Sequence, residues 1–310
     1  MPRLRIISAM HLLIPFAAPL SEAGRQALQT LSLPQLSALL AGMQPQRRDD
    51  GDELSLSPPH ERALARAMGW AGEDGALPWA AWWMRVDGLD PGDQAWGQLT
   101  PSHWHLGTEQ LSMGDPEALA LDEATSRALL AAVQALFTSE GFVVHWGAPL
   151  RWYISHPSLA DLPCASPDRV IGRNVDRWLP AGTQARLLRR LQNEVQMLLY
   201  TLPLNAEREV RGALPVNSFW LSACGVAQAT ASAMPQVDAR LRSYALAEDW
   251  AGWSKAWAVI DEGLVAADIE QVTLCGERSS ATWAIKPRGA FKRFMARWNK
   301  PDPVALLETL

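Results

Sequence analysis

The sequence predicts a mixed α/β (α+β) protein, in which a small core sheet from the N- and C-terminal segments carries an inserted ferredoxin-like βαββαβ module. Three observations carry this reading. The middle of the chain runs strand, helix, strand, strand, helix, strand, the order of a split βαβ unit. Two apolar strands near opposite ends of the chain, His11–Phe16 and Val272–Cys275, find no partner in that order and are assigned to one shared sheet. The 310 residues are 48% hydrophobic and 20% charged. That balance excludes a disordered or collagen-like chain and suffices for a large core and two domains. The expected boundaries are 1–75 with 226–310 for the core and 76–225 for the module.

The elements follow in order. Arg3 and Arg5 precede an apolar stretch, Ile6 to Ala18, with the outline of a signal peptide. His11 and Pro15 interrupt it, and it passes into a helix pattern with no polar mature start. It therefore reads as a buried first strand, with Met1 or Met10 as the start. Ser21 is a candidate N-cap with Glu22 in the first turn. Leu28, Leu31, Leu36 and Leu40 keep helical spacing, with Pro34 restarting the helix. Gln44–Pro59 is polar and reads as a loop or linker. Pro58 and Pro59 suit the start of a helix over His60–Met68. Trp79–Val86 reads as an aromatic-rich strand, Asp90-Pro91-Gly92-Asp93 as a turn, and Trp104–Met113 as extended.

Leu121–Phe137 is a helix capped by Asp122. Phe142–Trp146 and Leu150–Ser155 form a hairpin through Gly147-Ala148-Pro149. Thr183–Tyr200 is a helix with Leu187, Leu188, Leu191, Val195, Leu198 and Leu199 at apolar positions, and Val216–Cys224 is a strand. Helices over Val237–Leu264 and strands at Val272–Cys275 and Thr282–Ile285 follow. A last helix sets Phe291, Phe294, Met295 and Trp298 on one face, with Lys292, Arg293 and Arg297 elsewhere. That face suits docking on its own domain, an acidic partner or a membrane surface.

Charge and composition narrow the function. With 33 acidic against 28 basic residues the net charge is −5. That gives no global attraction to nucleic acid or anionic lipid, and no basic stripe is present, so no nucleic-acid role is expected. No segment reaches the about 18 apolar residues of a membrane span. The 15 Trp, against 3 Tyr and 6 Phe, fit a Trp-rich core or a stacking surface for bases or sugars. Cys164, Cys224 and Cys275 are far apart and without a CxxC. They argue against a disulfide framework and a structural zinc, and fit a cytoplasmic home.

Chemistry-bearing motifs are few. GxxxxGK[ST], GxGxxG and GxSxG are all missing. His103 and His105, two apart on an extended segment, face one side and suit a metal or an acid/base pair. Glu109 and Asp115 lie nearby in sequence. Arg151, Arg173 and Arg177 suit an anion site or ordinary loop contacts.

The segment Asn205, Arg208, Gly212, Pro215, Asn217, Trp220 and Gly225 is distinctive. Pro215 can only open a strand, Asn217 offers a donor and an acceptor at its start, and Gly225 permits a sharp exit where α/β sheets bind ligands. Asn205 and Asn217 equally suit holding loop backbone, and Trp220 filling core. This spacing resembles the central segment of archaeal-type cofactor-independent phosphoglycerate mutases. With Met10–Phe16 and Leu99–Trp104, the whole chain resembles the shorter RpfE-type regulatory proteins, which are often labelled phosphoglycerate mutase.

The mutase resemblance implies two divalent metals and a Ser nucleophile. Here the first strand runs into Ala17-Ala18-Pro19-Leu20 where those mutases place an Asp-Gly pair. No His follows His156, though Asp261, Asp268 and Glu270 remain, and none of the six His stands in an Arg-His-Gly motif. The resemblance thus implies a regulatory protein without the mutase metal site and without a cofactor. It would bind a protein partner or a small phosphorylated anion through Asn205, Arg211, Asn217, Trp220, Gly225, Arg151 or Arg173. The alternative is a phosphotransfer enzyme whose rearranged metal site includes His103 and His105. The oligomeric state is not legible.

Overall fold

The computed structural model describes residues 10–108, 110–182, 185–231, 234–285 and 301–310. In chain order the strands and helices are β1 (Met10–Ala18), α1 (Glu22–Gln29), α2 (Pro34–Ala41), β2 (Met43–Asp49), α3 (Pro59–Ala67), α4 (Trp79–Val86), β3 (Ala95–Ser102), β4 (Trp104–Leu106) and β5 (Leu111–Met113). Then come α5 (Glu123–Thr138), β6 (Val143–Ala148), β7 (Arg151–Ser155), α6 (Pro167–Val170), α7 (Ala185–Tyr200), α8 (Pro203–Val210) and β8 (Ser218–Val226). The chain finishes with β9 (Gln236–Val237), α9 (Arg242–Leu246), α10 (Trp250–Gly263), β10 (Ile269–Gly276), β11 (Ser280–Ile285) and α12 (Pro303–Leu307). These form two units, one of Met1–Leu54, Pro58–Gly69 and Ala231–Leu310, the other of Ser55–Ser57 and Trp70–Thr230. The expected last helix at Phe291–Trp298 lies outside the described residues.

The first unit is built on a five-stranded sheet of order β2-β11-β10-β1-β9. β1 runs parallel to β10 and β9, and β10–β11 and β11–β2 are antiparallel. The strands from the two chain ends share one sheet, as their unpaired apolar runs require. β1 is buried on both faces, which is why it reads as a continuous apolar run and not an alternation. Leu12 and Ile14 join a core with Leu36, Trp253 and Trp257, and Leu13 packs with Ala63 and Cys275 on the other side. Near its end β1 bulges, and Phe16 takes φ 56. The Phe16 and Ala17 carbonyls accept from the indole N–H groups of Trp253 at 2.9 Å and Trp257 at 3.3 Å. Core Trp here supplies both area and a donor for a broken ladder.

The polar loop expected at Gln44–Pro59 is corrected: Met43–Asp49 is the edge strand β2, paired with β11. Its Pro45, Arg47 and Arg48 hide the strand signal, yet proline and exposed charge are what protects a sheet edge.

Pro34 opens α2, and that helix has no side-chain cap of its own. Buried Asp261 of α10 replaces it, accepting from Gln35 N at 3.1 Å and Leu36 N at 2.7 Å. A carboxylate at a helix N-terminus satisfies two otherwise orphaned N–H groups and meets the positive end of the helix dipole. Asp261→Ala is expected to lower stability by about 2–3 kcal/mol in urea titration, with Asp261→Asn in between. Equal midpoints for all three proteins would overturn this assignment.

The second unit holds a four-stranded antiparallel sheet of order β6-β7-β3-β8. With α5 between β3 and β6 and α7 between β7 and β8, this is the ferredoxin-like βαββαβ topology. The expected hairpin is present as β6 and β7. The module's first strand, however, is β3. Trp79–Val86, expected as a strand, is helix α4, which buries Trp79, Ala80, Ala81 and Met84. Three successive buried residues followed by a fourth one turn later fit a helix face and no strand face.

β3 was hidden by Gly97 and Pro101. A Cβ at Gly97 would stand 2.9 Å from Leu221 Cδ1 and 3.0 Å from Cys224 Sγ, so any larger residue would push those core side chains aside. Pro101 lies beyond Leu99, the last β3 residue paired with β7, so the lost N–H breaks no ladder bond on that side. Helices α5 and α7 cover the Leu99, Trp152, Ile154 and Phe219 face, and α4 packs on Trp96 and Tyr153 of the other. Asp122 caps α5 through Thr125 N at 2.7 Å. In the first turns of α5, Ser126 Oγ accepts from both Trp146 Nε1 (3.1 Å) and Trp152 Nε1 (3.0 Å) and donates to Pro149 O (2.8 Å).

Candidate functional site

The densest convergence of sequence-selected residues lies in the second unit, where β3 ends and β8 begins. β3 stops at Ser102, and the chain continues through His103 into β4, which pairs with β5 in a separate two-stranded ribbon. Asn217, just before β8, holds that junction. Its Oδ1 accepts from Trp104 N at 2.7 Å, its Nδ2 donates to Trp104 O at 2.9 Å, and its own N donates to Ser102 O at 3.2 Å. The side-chain amide acts as an extra peptide group and pins Trp104, and with it the histidines on either side.

His103 Nδ1 lies 2.7 Å from Pro215 O. A carbonyl can only accept, so Nδ1 carries the proton, and in the neutral ring Nε2 holds the lone pair. The His103 and His105 ring centres are 4.4 Å apart at 66°. His105 is exposed, and its Nε2 stands 3.2 Å from where a Cβ of Gly114 would be. Gly114 N donates to His103 O at 2.9 Å, so the glycine forms the floor of the pair. Partial burial, and then the neighbouring His103 charge, lower the His105 pKa below its ordinary value. On the neighbouring positions, Ser102 Oγ and Trp104 Nε1 are buried polar atoms with no hydrogen-bond partner among the described residues.

Asn205 is 6% exposed and makes three bonds to main chain: Nδ2 to Leu199 O (2.8 Å) and Val216 O (2.7 Å), and Oδ1 from Val216 N (2.9 Å). It joins the end of α7 to the approach of β8. Arg208 does similar work, donating to Leu214 O at 3.0 Å and Leu119 O at 2.6 Å, and burial lowers its pKa. Trp220 is buried and donates to Ala165 O at 2.8 Å. Gly225 takes φ 146, and a Cβ there would meet Pro78 Cβ at 3.1 Å.

The arginines are not gathered into one place. Arg211 is exposed, 3.7 Å from Glu207. Arg173 is half-buried in the turn after α6, in a segment bridged to β5 through Ile171 and Asn174. Arg151 holds Asp87 with two bonds, 2.6 and 3.1 Å, and Tyr153 donates to the same carboxylate at 2.6 Å. Burial pushes the Asp87 pKa up, but the bonds from Arg151 and Tyr153 and the guanidinium charge outweigh it, so the carboxyl sits below its ordinary value. Burial, with the Asp87 bond and charge behind it, raises the Tyr153 pKa.

Sequence spacing missed two associations. The Asp87–Arg151–Tyr153 network joins residues up to 66 positions apart. The Cys164 and Cys224 sulfurs, 60 positions apart, lie 3.6 Å from each other in the interior. Their mutual bond and burial hold the Cys224 pKa well above its ordinary value. Among the described residues, no three His, Cys, Asp or Glu side chains gather where they could share a metal ion, and Glu109 lies outside them. Among the described residues no helix is long and apolar enough to cross a membrane.

No family model and no curated protein matches the chain. Among solved structures, it is similar to a cofactor-independent phosphoglycerate mutase from Thermoplasma acidophilum DSM 1728, at 15% identity and TM-score 0.38 over 90% of this chain and 91% of that one. It is also similar to the PH0037 protein from Pyrococcus horikoshii, at 11% identity and TM-score 0.41 over 89% of this chain and 87% of that one.

Proposed function

We propose that this chain is a regulatory protein of the RpfE type that acts by binding a partner and does not catalyse mutase chemistry. One observation carries the reading. The polar side chains that give the Asn205–Gly225 segment its likeness to the mutases are engaged with main chain: Asn205 with Leu199 and Val216, Arg208 with Leu119 and Leu214, Asn217 with Trp104. A side chain whose bonds close on its own backbone positions structure and leaves little to offer a phosphoryl group. A protein partner is favoured over a small anion by Met197 and Tyr200. They are 74% and 88% exposed and stand three apart on the solvent side of α7.

The test is a coupled assay in which 3-phosphoglycerate is supplied with manganese or magnesium and 2-phosphoglycerate is detected through enolase. No turnover above blank is expected while a control mutase works. Turnover that vanishes in a His103→Gln/His105→Gln variant would replace this reading with the phosphotransfer alternative. Affinity capture with wild type should retain a protein that the Met197→Glu/Tyr200→Glu variant releases.

A further inference from the structure

We propose that His103 and His105 form a binding site for one divalent transition-metal ion, zinc or nickel, with water completing its coordination. This goes beyond the partner-binding reading and does not depend on it, because binding is measured without turnover.

Four observations carry the proposal. First, the Pro215 carbonyl fixes the proton of His103 on Nδ1. The Nε2 lone pair is thereby left for a ligand, and a carbonyl behind the ring is the usual support of a metal-bound histidine. Second, the two rings are close together. A metal–nitrogen bond of about 2.1 Å puts the ion roughly 3.2 Å from each ring centre, so two imidazoles meeting at about 90–110° have centres about 4.5–5.3 Å apart. The observed centres, 4.4 Å apart with the planes at 66°, fall just short of that span, and His105 is on the exposed side of the pair. Third, the frame between the two histidines is rigid: Asn217 clamps Trp104 on both its N–H and its carbonyl. Fourth, Gly114 leaves the room that His105 Nε2 uses. Imidazole nitrogen in an open, partly hydrated site suits zinc, nickel or copper and does not suit magnesium or calcium.

The experiment is isothermal titration of the full-length protein with zinc chloride and, separately, nickel chloride. One ion per chain is expected, in the micromolar range. His105→Gln, at an exposed position, should weaken binding at least about tenfold with its melting temperature unchanged. Gly114→Ala keeps both ligands but crowds the His105 ring, and should weaken binding while leaving the fold intact. The His103→Gln/His105→Gln variant retains His11, His60, His145 and His156 and so measures background. Binding equal in wild type and this double variant, or in wild type and His105→Gln, would overturn the proposal.

Discussion

Asn205→Asp is expected to lower the stability of the second unit by about 4 kcal/mol at neutral pH, or about 8–16 °C in melting temperature. The native amide donates to two carbonyls, Leu199 O and Val216 O, and accepts from Val216 N. An aspartate keeps the acceptor and turns the donor into a second anionic oxygen facing two carbonyl oxygens. At 6% exposure, water cannot relieve this. The cost should depend on pH in a defined direction. The new carboxyl has its folded pKa raised above the unfolded value, because only its protonated form can donate to a carbonyl. Its destabilisation is therefore full above the folded pKa and shrinks as pH falls toward the unfolded one near 4. Asn205→Ala loses all three bonds but buries no charge, and should fall between the two proteins, with no such pH dependence. Melting curves at pH 8 and pH 5 decide the matter. A variant melting within two or three degrees of wild type (roughly 1 kcal/mol) would sink the backbone-clamp role.

Asp87→Asn is expected to cost about 2–3 kcal/mol at pH 7. Arg151 and Tyr153 both converge on this carboxylate, whose side chain is 9% exposed while that of Arg151 is 32% exposed. An amide offers one acceptor in place of two and turns an N–H toward a guanidinium or a phenol. The upper range for a buried pair is reduced here because water still reaches the arginine. The folded pKa of Asp87 is depressed. Its contribution is therefore fully present above the ordinary carboxylate pKa and disappears as pH falls through the depressed value. The gap between wild type and Asp87→Asn should be constant from pH 7 to about pH 5 and close in stronger acid, as read by urea titration across that range. A gap that stays undiminished as acid protonates the carboxylates would show that charge is not what Asp87 contributes.

Local signals were legible where the partners are local. Ser21, Asp122 and the 16 residues of α5 could be read because a cap and its N–H lie within three positions of each other. The β6–β7 hairpin could be read because its turn is contiguous. β2 and β3 could not: Pro45, the two arginines, Gly97 and Pro101 are all breakers in isolation. Only the neighbours, Trp283 beside Pro45 and Phe219 beside Pro101, reveal why each is tolerated.

The site follows the same logic. Its residue types were visible, Asn205 and Asn217 at a strand start and His103 and His105 two apart. Their work was not, because Asn217 meets Trp104 across 113 positions and His103 meets Pro215 across 112. The Trp surplus resolves in the same way. Trp96, Trp146, Trp152, Trp220, Trp253 and Trp257 each donate an indole N–H to a specific oxygen.

The Ser126 hydroxyl has a consequence for how the second unit opens. One O–H offers one donor and two acceptor sites, and here all three are occupied, by Pro149, Trp146 and Trp152. Helix α5, both strands of the hairpin and the turn joining them therefore share a single atom at their junction. None can fray without stranding groups on the others around the buried Ser126 hydroxyl. Amide protons of the first turns of α5 and of β6–β7 should exchange with solvent at a common opening free energy, as one cooperative block within the unit.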